Sequence, residues 1–187
     1  MSQKILVLLE NGFEEIETLA SVDLMRRAGL EVTLAACGAE LMATGKMGVR
    51  VVADALLKDC DSASFGVLVI PGGPAAMTLR KNPKILELVR SFDGRGCLIA
   101  AICAAPVVLH DAGILHGKQY TAHFSVAEEL TEIRPDAVVV DGQLITSQGA
   151  GTAVEFGLAI VAKLLGSDQS QEIRNAICAP EGCGIEV

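Results

Sequence analysis

Short, continuous apolar runs alternate with amphipathic segments along the first third of the chain. The run Ile5–Leu9 is followed by Gly12 and by a helical pattern that continues through Ala28 and stops at Gly29, and Val32–Ala36 is the next run. This order predicts a right-handed β-α-β crossover. Because both runs are apolar at every position, we expect a parallel sheet that is buried on both faces.

The pattern weakens after the second strand and then resumes. Residues 49–53 predict a short strand in an edge hairpin, and Asp141-Gly142 is a signal for a second hairpin. We predict further strands at 67–70, 98–102, 120–122, 137–140 and 144–146, and helices at 83–91, 104–112, 152–165 and 169–177. The alternation predicts an α/β fold in which helices cover both faces of one mostly parallel, doubly wound sheet, in a single domain over residues 1–187.

Composition and charge exclude several classes of function. The 187 residues are 51% apolar, carry a formal net charge of −8 and include no tryptophan, so we expect no nucleic-acid partner. The longest apolar stretch, residues 97–109, is interrupted by Pro106 and is too short to span a bilayer, and no secretory signal is visible. We therefore expect a cytoplasmic protein that does not enter a membrane.

The six cysteines predict free thiols rather than a disulfide framework. A chain of this size without an export signal is expected in a reducing compartment. There is no Cys-x-x-Cys pair, and Cys178 and Cys183 have no histidine nearby to complete a zinc site. We expect neither a structural metal nor a metal cofactor.

Candidate chemistry collects where the predicted strands end, which is where ligands bind in open α/β sheets. Cys103 lies between a buried strand and a helix, with alanine on both sides of the turn, in a position that favours a strained backbone. A helix N-terminus and free backbone amides there favour the thiolate. The alternative is an inert, buried cysteine.

Two more side chains are candidate partners of this cysteine. Glu17 lies at the start of the first helix with apolar residues at i+3 and i+7, so it can point inward, where burial raises the pKa of a carboxyl group. The alternative is that Glu14, Glu15 and Glu17 only complement the helix dipole. His123 follows a predicted strand and can exchange a proton, although a lone histidine is more often structural.

Two glycine-containing turns also follow predicted strands. Pro71-Gly72-Gly73 can bring backbone N–H groups to a substrate oxygen, or it is only a tight turn. Gly149-Ala150-Gly151 lacks the dinucleotide fingerprint, and we interpret it as structural, with no nucleotide bound. His110 and His116 are assigned no role.

Taken together, these residues resemble the ThiJ/PfpI superfamily and its DJ-1-like branch. The segments that carry the resemblance are residues 11–18, 22–29, 70–73, 100–106 and 144–152, which together span nearly the whole chain. The resemblance implies a flavodoxin-like three-layer sandwich with a nucleophile elbow at Cys103, a homodimer, and no cofactor. It further implies Glu17 as the carboxyl partner, His123 nearby, and backbone amides of Gly72, Gly73 and Ala104 at the substrate oxygen.

Some residues differ from the pattern of the branch. Ile16 replaces a residue that the branch often fills differently, Phe124 stands where proline is common, and Ala150 stands where proline is usual; these differences bear on the shape of the pocket more than on its chemistry. Ala104 replaces the histidine that follows the cysteine in relatives described as proteases, which disfavours a peptidase.

Members of the branch are described as cofactor-free glyoxalases and deglycases, and as peroxide sensors or redox-regulated chaperones. We expect a glyoxalase or protein deglycase that acts on methylglyoxal-type α-oxoaldehydes or their early adducts. The alternative is an oxidative-stress sensor or chaperone that works through oxidation of Cys103. A third hypothesis is a structural homologue with an unreactive Cys103.

Overall fold

A computed structural model describes residues 4–180. In chain order, the strands are β1 Ile5–Leu9, β2 Val32–Ala36, β3 Met42–Thr44, β4 Arg50–Val52, β5 Ala55–Leu56, β6 Val67–Ile70, β7 Leu98–Ile102, β8 Val138–Asp141 and β9 Leu144–Ser147. Seven of them form one sheet in the order β5-β2-β1-β6-β7-β9-β8. All neighbours in this sheet are parallel except β8 and β9, and β3 pairs with β4 in a separate antiparallel hairpin.

Helices cover both faces of the large sheet, as the sequence predicts. They are α1 Glu15–Arg27, α2 Ala75–Leu79, α3 Pro83–Gly94, α4 Pro106–Ala112, α5 Ala153–Leu165 and α6 Ser167–Ala176. One apolar core contains Met25 of α1 and Phe156 of α5, and the core on the opposite face contains Phe92 of α3 and Val108 of α4. The central strands are buried at every position because each of their faces packs against one of these helical layers.

Most predicted elements are confirmed, and the four strands β1, β2, β6 and β7 have the predicted ends. The hairpin at Asp141-Gly142 is also confirmed, with Gly142 at φ +59°. The strand predicted at 120–122 is wrong, because within the described residues only Tyr120 forms an isolated bridge, to Ile133. The short strand β4 forms a separate hairpin with β3 and does not extend the edge of the main sheet.

Two differences between the predicted and the observed helices lie close to the candidate site. The helix predicted from residue 104 begins at Pro106, where the missing N–H is tolerated in the first turn. The short helix α2 was not predicted, because five residues carry too little periodicity to indicate a helix. Within residues 4–180, no helix is long and apolar enough to cross a membrane.

The topology brings three loops together at one edge of the sheet. Strands β1, β6 and β7 are adjacent and parallel, so the loops after Leu9, Ile70 and Ile102 leave the sheet side by side. The β3–β4 hairpin covers the first of these loops through main-chain hydrogen bonds, of which the N–H of Lys46 donates one of 2.8 Å to the carbonyl oxygen of Phe13. This edge is where the candidate residues meet.

Candidate active site

Cys103 occupies the turn between β7 and α4 in a left-handed backbone conformation, with φ of 65°. Its N–H donates to the carbonyl oxygen of Ser147 at 2.9 Å, and its own carbonyl oxygen accepts from the N–H of His123 at 2.9 Å. A non-glycine residue keeps such a conformation only where its surroundings fix it, and these two hydrogen bonds do so. The strained turn expected from the sequence is therefore present.

The half-buried thiol of Cys103 lies among groups with opposing effects on its pKa. Burial, and after it the neighbouring Glu17 carboxylate, raise the pKa of the thiol to about 12. The backbone amides of Gly73 and Ala104 point at the sulfur and lower the pKa, as the sequence led us to expect. Their effect is smaller than that of burial, so the amides alone do not make the resting group a thiolate.

Glu17 is 1% exposed and projects from the first turn of α1 into the same space. Its Oε2 atom accepts a hydrogen bond of 2.9 Å from the N–H of Gly72. Its Oε1 atom is buried and has no hydrogen-bond partner among residues 4–180. Burial raises the pKa of the carboxyl group to about 7, although the nearby Cys103 thiol lowers it.

Glu17 and Cys103 therefore titrate as a coupled pair. When Glu17 is ionised, its charge holds the proton on the sulfur. When Glu17 is protonated, its O–H group is available to hydrogen-bond to the thiolate, which favours that form of the sulfur. A pKa of about 7 for Glu17 means that the pair loses its first proton near neutral pH.

The three acidic residues at the start of α1 each bind a different part of the backbone. Glu14 is the N-cap, and its Oε2 accepts from the N–H of Glu17 at 2.8 Å. The Oε1 atom of Glu15 accepts from the N–H groups of Met47 and Val49, at 2.7 and 3.3 Å, and so ties the hairpin to the helix. The interpretation that these acids only complement the dipole is wrong for Glu17, which faces the cysteine.

The two glycines after β6 let the backbone of this loop lie close to Cys103, Glu17 and Gly12. A Cβ atom at Gly72 would lie 2.6 Å from Cys103 Cβ and 2.7 Å from Glu17 Oε2, and one at Gly73 would lie 2.5 Å from the carbonyl oxygen of Gly12. The N–H of Gly72 was expected at the substrate oxygen, but the structure engages it with Glu17. The amides of Gly73 and Ala104 remain directed at the sulfur.

His123 borders the site next to Cys103 and Gly149. Its Nδ1 accepts a hydrogen bond of 3.2 Å from the N–H of Ser125 and lies 2.8 Å from the hydroxyl of that residue. Because Nδ1 is an acceptor, the neutral ring carries its proton on Nε2, and Nε2 makes no hydrogen bond within residues 4–180. The Cδ2 edge, to which Nε2 is bonded, faces Gly149.

Gly149 is a site residue that the sequence interpretation missed. A Cβ atom at this position would lie 3.4 Å from His123 Cδ2 and 3.9 Å from both Cys103 Sγ and Glu17 Oε1. The absence of a side chain at Gly149 therefore leaves open the space that all three groups share. The sequence signal was the glycine loop before a helix, which we interpreted as structural.

A groove of about 640 Å³ extends from His123 and Gly149 away from the cysteine. Its lining consists of Ala122, His123, Phe124, Ala127, Ile133, Arg134, Pro135, Gln148, Gly149, Ala150, Gly151 and Thr152. Phe124 is 81% exposed, and its ring lies 4.0 Å from that of His123. Phe124 and Ala150, two of the residues that differ from the pattern of the branch, both line this groove.

Among residues 4–180, the other cysteines and the histidines at 110 and 116 lie outside this cluster. Burial raises the pKa of the Cys37 thiol to about 12, as expected of a structural cysteine. Cys178 is exposed, and Cys183 lies outside the described residues. In the described part of the chain, no three histidine, cysteine or acidic side chains are arranged to hold a metal ion. His110 is paired with Asp111 at 3.3 Å, away from Cys103.

Comparison with known proteins gives the family. A profile of the DJ-1/PfpI family matches residues 3–163. The chain belongs to the DJ-1/PfpI family. It is 37% identical to protein dj-1beta of Drosophila melanogaster, over 95% of this chain and 97% of that protein. It is 38% identical to a Caenorhabditis elegans protein named glutathione-independent glyoxalase DJR-1.2, over 88% of this chain and 90% of that protein.

Solved structures of the family have the same architecture. The crystal structure of Drosophila melanogaster DJ-1beta superposes with a TM-score of 0.92 and 37% identity, covering 96% of this chain and all of that one. Oxidized Toxoplasma gondii DJ-1 superposes with a TM-score of 0.89 and 30% identity, covering 94% of this chain and 98% of that one. The expected α/β fold, with helices on both faces of a mostly parallel sheet, is therefore confirmed.

Proposed function

We propose that the protein is a cofactor-independent glyoxalase, with related deglycase activity, that converts methylglyoxal-type α-oxoaldehydes to α-hydroxy acids through Cys103 and Glu17. The observation that carries this proposal is the buried pair itself. A strained cysteine with two amides directed at its sulfur faces a buried carboxyl group whose pKa is raised to about 7. The name of the C. elegans relative, a glutathione-independent glyoxalase, supports the same reaction class.

The first step is addition of the Cys103 sulfur to the aldehyde carbon. Ionised Glu17 takes the proton of the Cys103 thiol, the thiolate forms a C–S bond as the carbonyl π electrons move to oxygen, and Glu17 returns the proton to that oxygen to complete a hemithioacetal. The amides of Gly73 and Ala104 are the donors nearest the sulfur and are placed to stabilise the developing oxyanion. Since the N–H of Gly72 is engaged with Glu17, its contribution is to hold the carboxyl group in place.

The second step is a proton transfer between the two carbons of the substrate. Ionised Glu17 removes the proton from the carbon bonded to sulfur, giving an enediol, and then delivers it to the neighbouring carbon. The product is a thioester of Cys103. Oε1 of Glu17 is the oxygen available for this transfer, because Oε2 already accepts from Gly72.

His123 and water complete the cycle. The Nε2 N–H of His123 faces the space near Gly149 and can donate to the substrate oxygens as the proton moves. Hydrolysis of the thioester by one water then releases lactate from methylglyoxal and regenerates the thiol. For a deglycase reaction, the early adduct of the aldehyde with a protein amine or thiol first loses that group: its C–N or C–S bond breaks, the hydroxyl proton passes to the departing amine or thiol, and the freed aldehyde then adds to the Cys103 sulfur as above.

The test is lactate formation from methylglyoxal by purified, metal-stripped protein without glutathione. We expect activity in the parent protein and its loss in Cys103→Ala and in Glu17→Gln. Cys60→Ala is the matched control, since Cys60 is also a half-buried thiol but lies outside the site. Full activity in Cys103→Ala would refute the proposal.

A second candidate function is an oxidative-stress sensor or redox-regulated chaperone. Two peroxide molecules would oxidise the Cys103 thiolate through the sulfenic to the sulfinic acid, releasing two waters. The amides of Gly73 and Ala104 favour this because they can donate to sulfinate oxygens, and one similar solved structure is an oxidized DJ-1. Mass spectrometry after mild peroxide treatment tests it; oxidation of Cys60 or Cys178 before Cys103 would remove its basis.

We also propose that the protein is a cytoplasmic homodimer. Ile16 of α1 and Met47 and Val49 of the hairpin are exposed apolar side chains, and the Glu15 carboxylate holds the two segments together. An exposed apolar surface of this kind suits contact with a second copy. Light scattering coupled to size exclusion should give twice the chain mass, and Met47→Glu should give monomers.

A further inference from the structure

The groove beyond Gly149 adjoins the candidate active site, because the two share His123 and Gly149. His123 and Gly149 line the groove and also border Cys103 and Glu17, so a molecule bound to the sulfur has its far end directed toward one of two places, the solvent or the groove. A volume of about 640 Å³ is much larger than the methyl group of methylglyoxal requires. The groove therefore has room that the smallest substrate does not use.

We infer that this groove binds the substituent of the α-oxoaldehyde carbonyl, that it selects for apolar, aryl-sized substituents, and that Phe124 is the specificity-determining residue. The inference rests on the proposed function and extends it to a substrate class. Aryl glyoxals are the members of that class that fit best.

Phe124 presents an exposed aromatic ring at the groove. It is 81% exposed, whereas the other four phenylalanines are at most 7% exposed. Its ring is tilted by 34° against that of His123, with centroids 4.0 Å apart, so His123 covers one face of the ring and leaves the rest exposed at the groove. A substrate ring that extends from the Cys103 sulfur past His123 can pack on the exposed part of the Phe124 ring.

The two long polar side chains of the groove, Arg134 and Gln148, have neighbours of their own. Arg134 lies 3.5 Å from Asp136, and the Nε2 group of Gln148 donates to the carbonyl oxygen of Pro135 at 2.8 Å. Asp136 therefore offsets part of the charge of Arg134, and the amide of Gln148 is already engaged. The alanines at 122, 127 and 150 and the side chain of Ile133 leave an apolar lining for an uncharged substituent.

The first experiment compares kcat/KM for phenylglyoxal with kcat/KM for methylglyoxal in the parent, in Phe124→Ala and in Leu165→Ala. Phe124→Ala should lower the ratio about five- to tenfold, the expected cost of one lost aromatic contact. Leu165→Ala removes another exposed apolar side chain outside the groove and should leave the ratio unchanged. Because Phe124 is so exposed, circular dichroism and thermal melting should give the parent values for both variants.

A second measurement does not depend on turnover. The Cys103 sulfur displaces bromide from 2-bromoacetophenone or from bromoacetone, forming a C–S bond, and mass spectrometry gives the two rates. Each rate is divided by that of glutathione to remove the intrinsic reactivity of the reagent. The phenyl-to-methyl ratio should fall in Phe124→Ala by the same factor as the ratio of kcat/KM.

The outcomes distinguish a failure of the groove inference from a failure of the proposed glyoxalase function. If the parent turns over methylglyoxal and both ratios are the same in Phe124→Ala, the groove inference is wrong and the proposed function stands. If the parent turns over neither aldehyde, the proposed function is wrong, and the alkylation ratio alone decides the inference. In that case a lower ratio in Phe124→Ala supports aryl binding in the groove, and an unchanged ratio overturns it.

Discussion

The N–H of Gly72 donates a hydrogen bond of 2.9 Å to Oε2 of Glu17, and so a residue without a side chain fixes the carboxyl group that faces Cys103. We expect Gly72→Ala to lower the free energy of unfolding by about 1–3 kcal/mol, because its methyl group would overlap Cys103 Cβ and Glu17 Oε2. Glyoxalase activity should fall with it. Gly94→Ala is the control, since no atom lies within 4 Å of a Cβ there and helix α3 accepts alanine.

Gly149→Ala should separate activity from stability. An added methyl group would make ordinary contacts of 3.4–3.9 Å with His123, Cys103 and Glu17, so thermal melting should stay near the parent value. The same methyl group occupies the space where substrate must lie, and kcat/KM for methylglyoxal should fall about tenfold or more. Gly38→Ala, which has no neighbour within 4 Å, should change neither quantity. Parent-level activity in Gly149→Ala would place the substrate elsewhere.

The raised pKa of Glu17 predicts a pH-dependent cost to stability. The folded protein holds this proton up to about pH 7, and the unfolded chain releases it near 4.5, so the free energy of unfolding falls as pH rises between these values. The total effect is of the order of 3 kcal/mol. Glu17→Gln has no such proton, so its stability relative to the parent should increase from pH 4.5 to 7 in urea titrations. A constant difference would contradict the raised pKa.

The same titration predicts the pH profile of turnover. Below pH 7 Glu17 and Cys103 are both protonated, and the pair contains neither a thiolate nor a base. Loss of one proton creates the reactive pair, so kcat/KM for methylglyoxal should rise through about pH 7. The inflection belongs to the pair as a whole. In Glu17→Gln the residual alkylation rate of Cys103 should show no inflection there.

Arg80 holds the segment after His123 against α4. Its guanidinium binds both oxygens of Asp111, at 2.7 and 2.9 Å, and both oxygens of Glu129, at 3.0 and 2.7 Å. The pKa of Asp111 is lowered by this pairing, and Asp111 is more buried than Glu129. Asp111→Asn should therefore lower the melting temperature more than Glu129→Gln.

Arg27→Gln is the control for the Arg80 prediction. It breaks an exposed pair with Asp23, which should have little effect on the melting temperature. Equal effects of Asp111→Asn and Glu129→Gln would show that burial does not set the strength of the Arg80 network.

The sequence predicted the strands that build the site because those strands are apolar without interruption. The strands Ile5–Leu9 and Leu98–Ile102 end where the sequence pattern predicts. The positions of the loops that carry the candidate residues were therefore predicted correctly. The strand predicted at residues 120–122 was wrong because three residues carry no reliable alternation. Tyr120 pairs with Ile133 only by tertiary contact. His123 was found even though the strand before it is absent.

The pattern of apolar and polar residues could not predict which distant residues contact each other. The inward position of Glu17 follows from helical spacing, but the donor that binds it, Gly72, comes from the loop after β6, 55 residues away in the chain. The role of Gly149 also depends on distances to side chains from three other elements. Likewise, the sequence could place a helix N-terminus beside Cys103 but could not weigh its effect on the pKa against that of burial.

The left-handed conformation of Cys103 affects which residues evolution can keep at this position. Any side chain with a Cβ atom is strained at φ of 65°, and glycine adopts that conformation freely. For folding alone, glycine would serve better here than cysteine by about 1 kcal/mol. A thiol at this turn therefore lowers the stability of the fold in return for reactivity. In relatives that no longer need that reactivity, we expect cysteine to be replaced at this position.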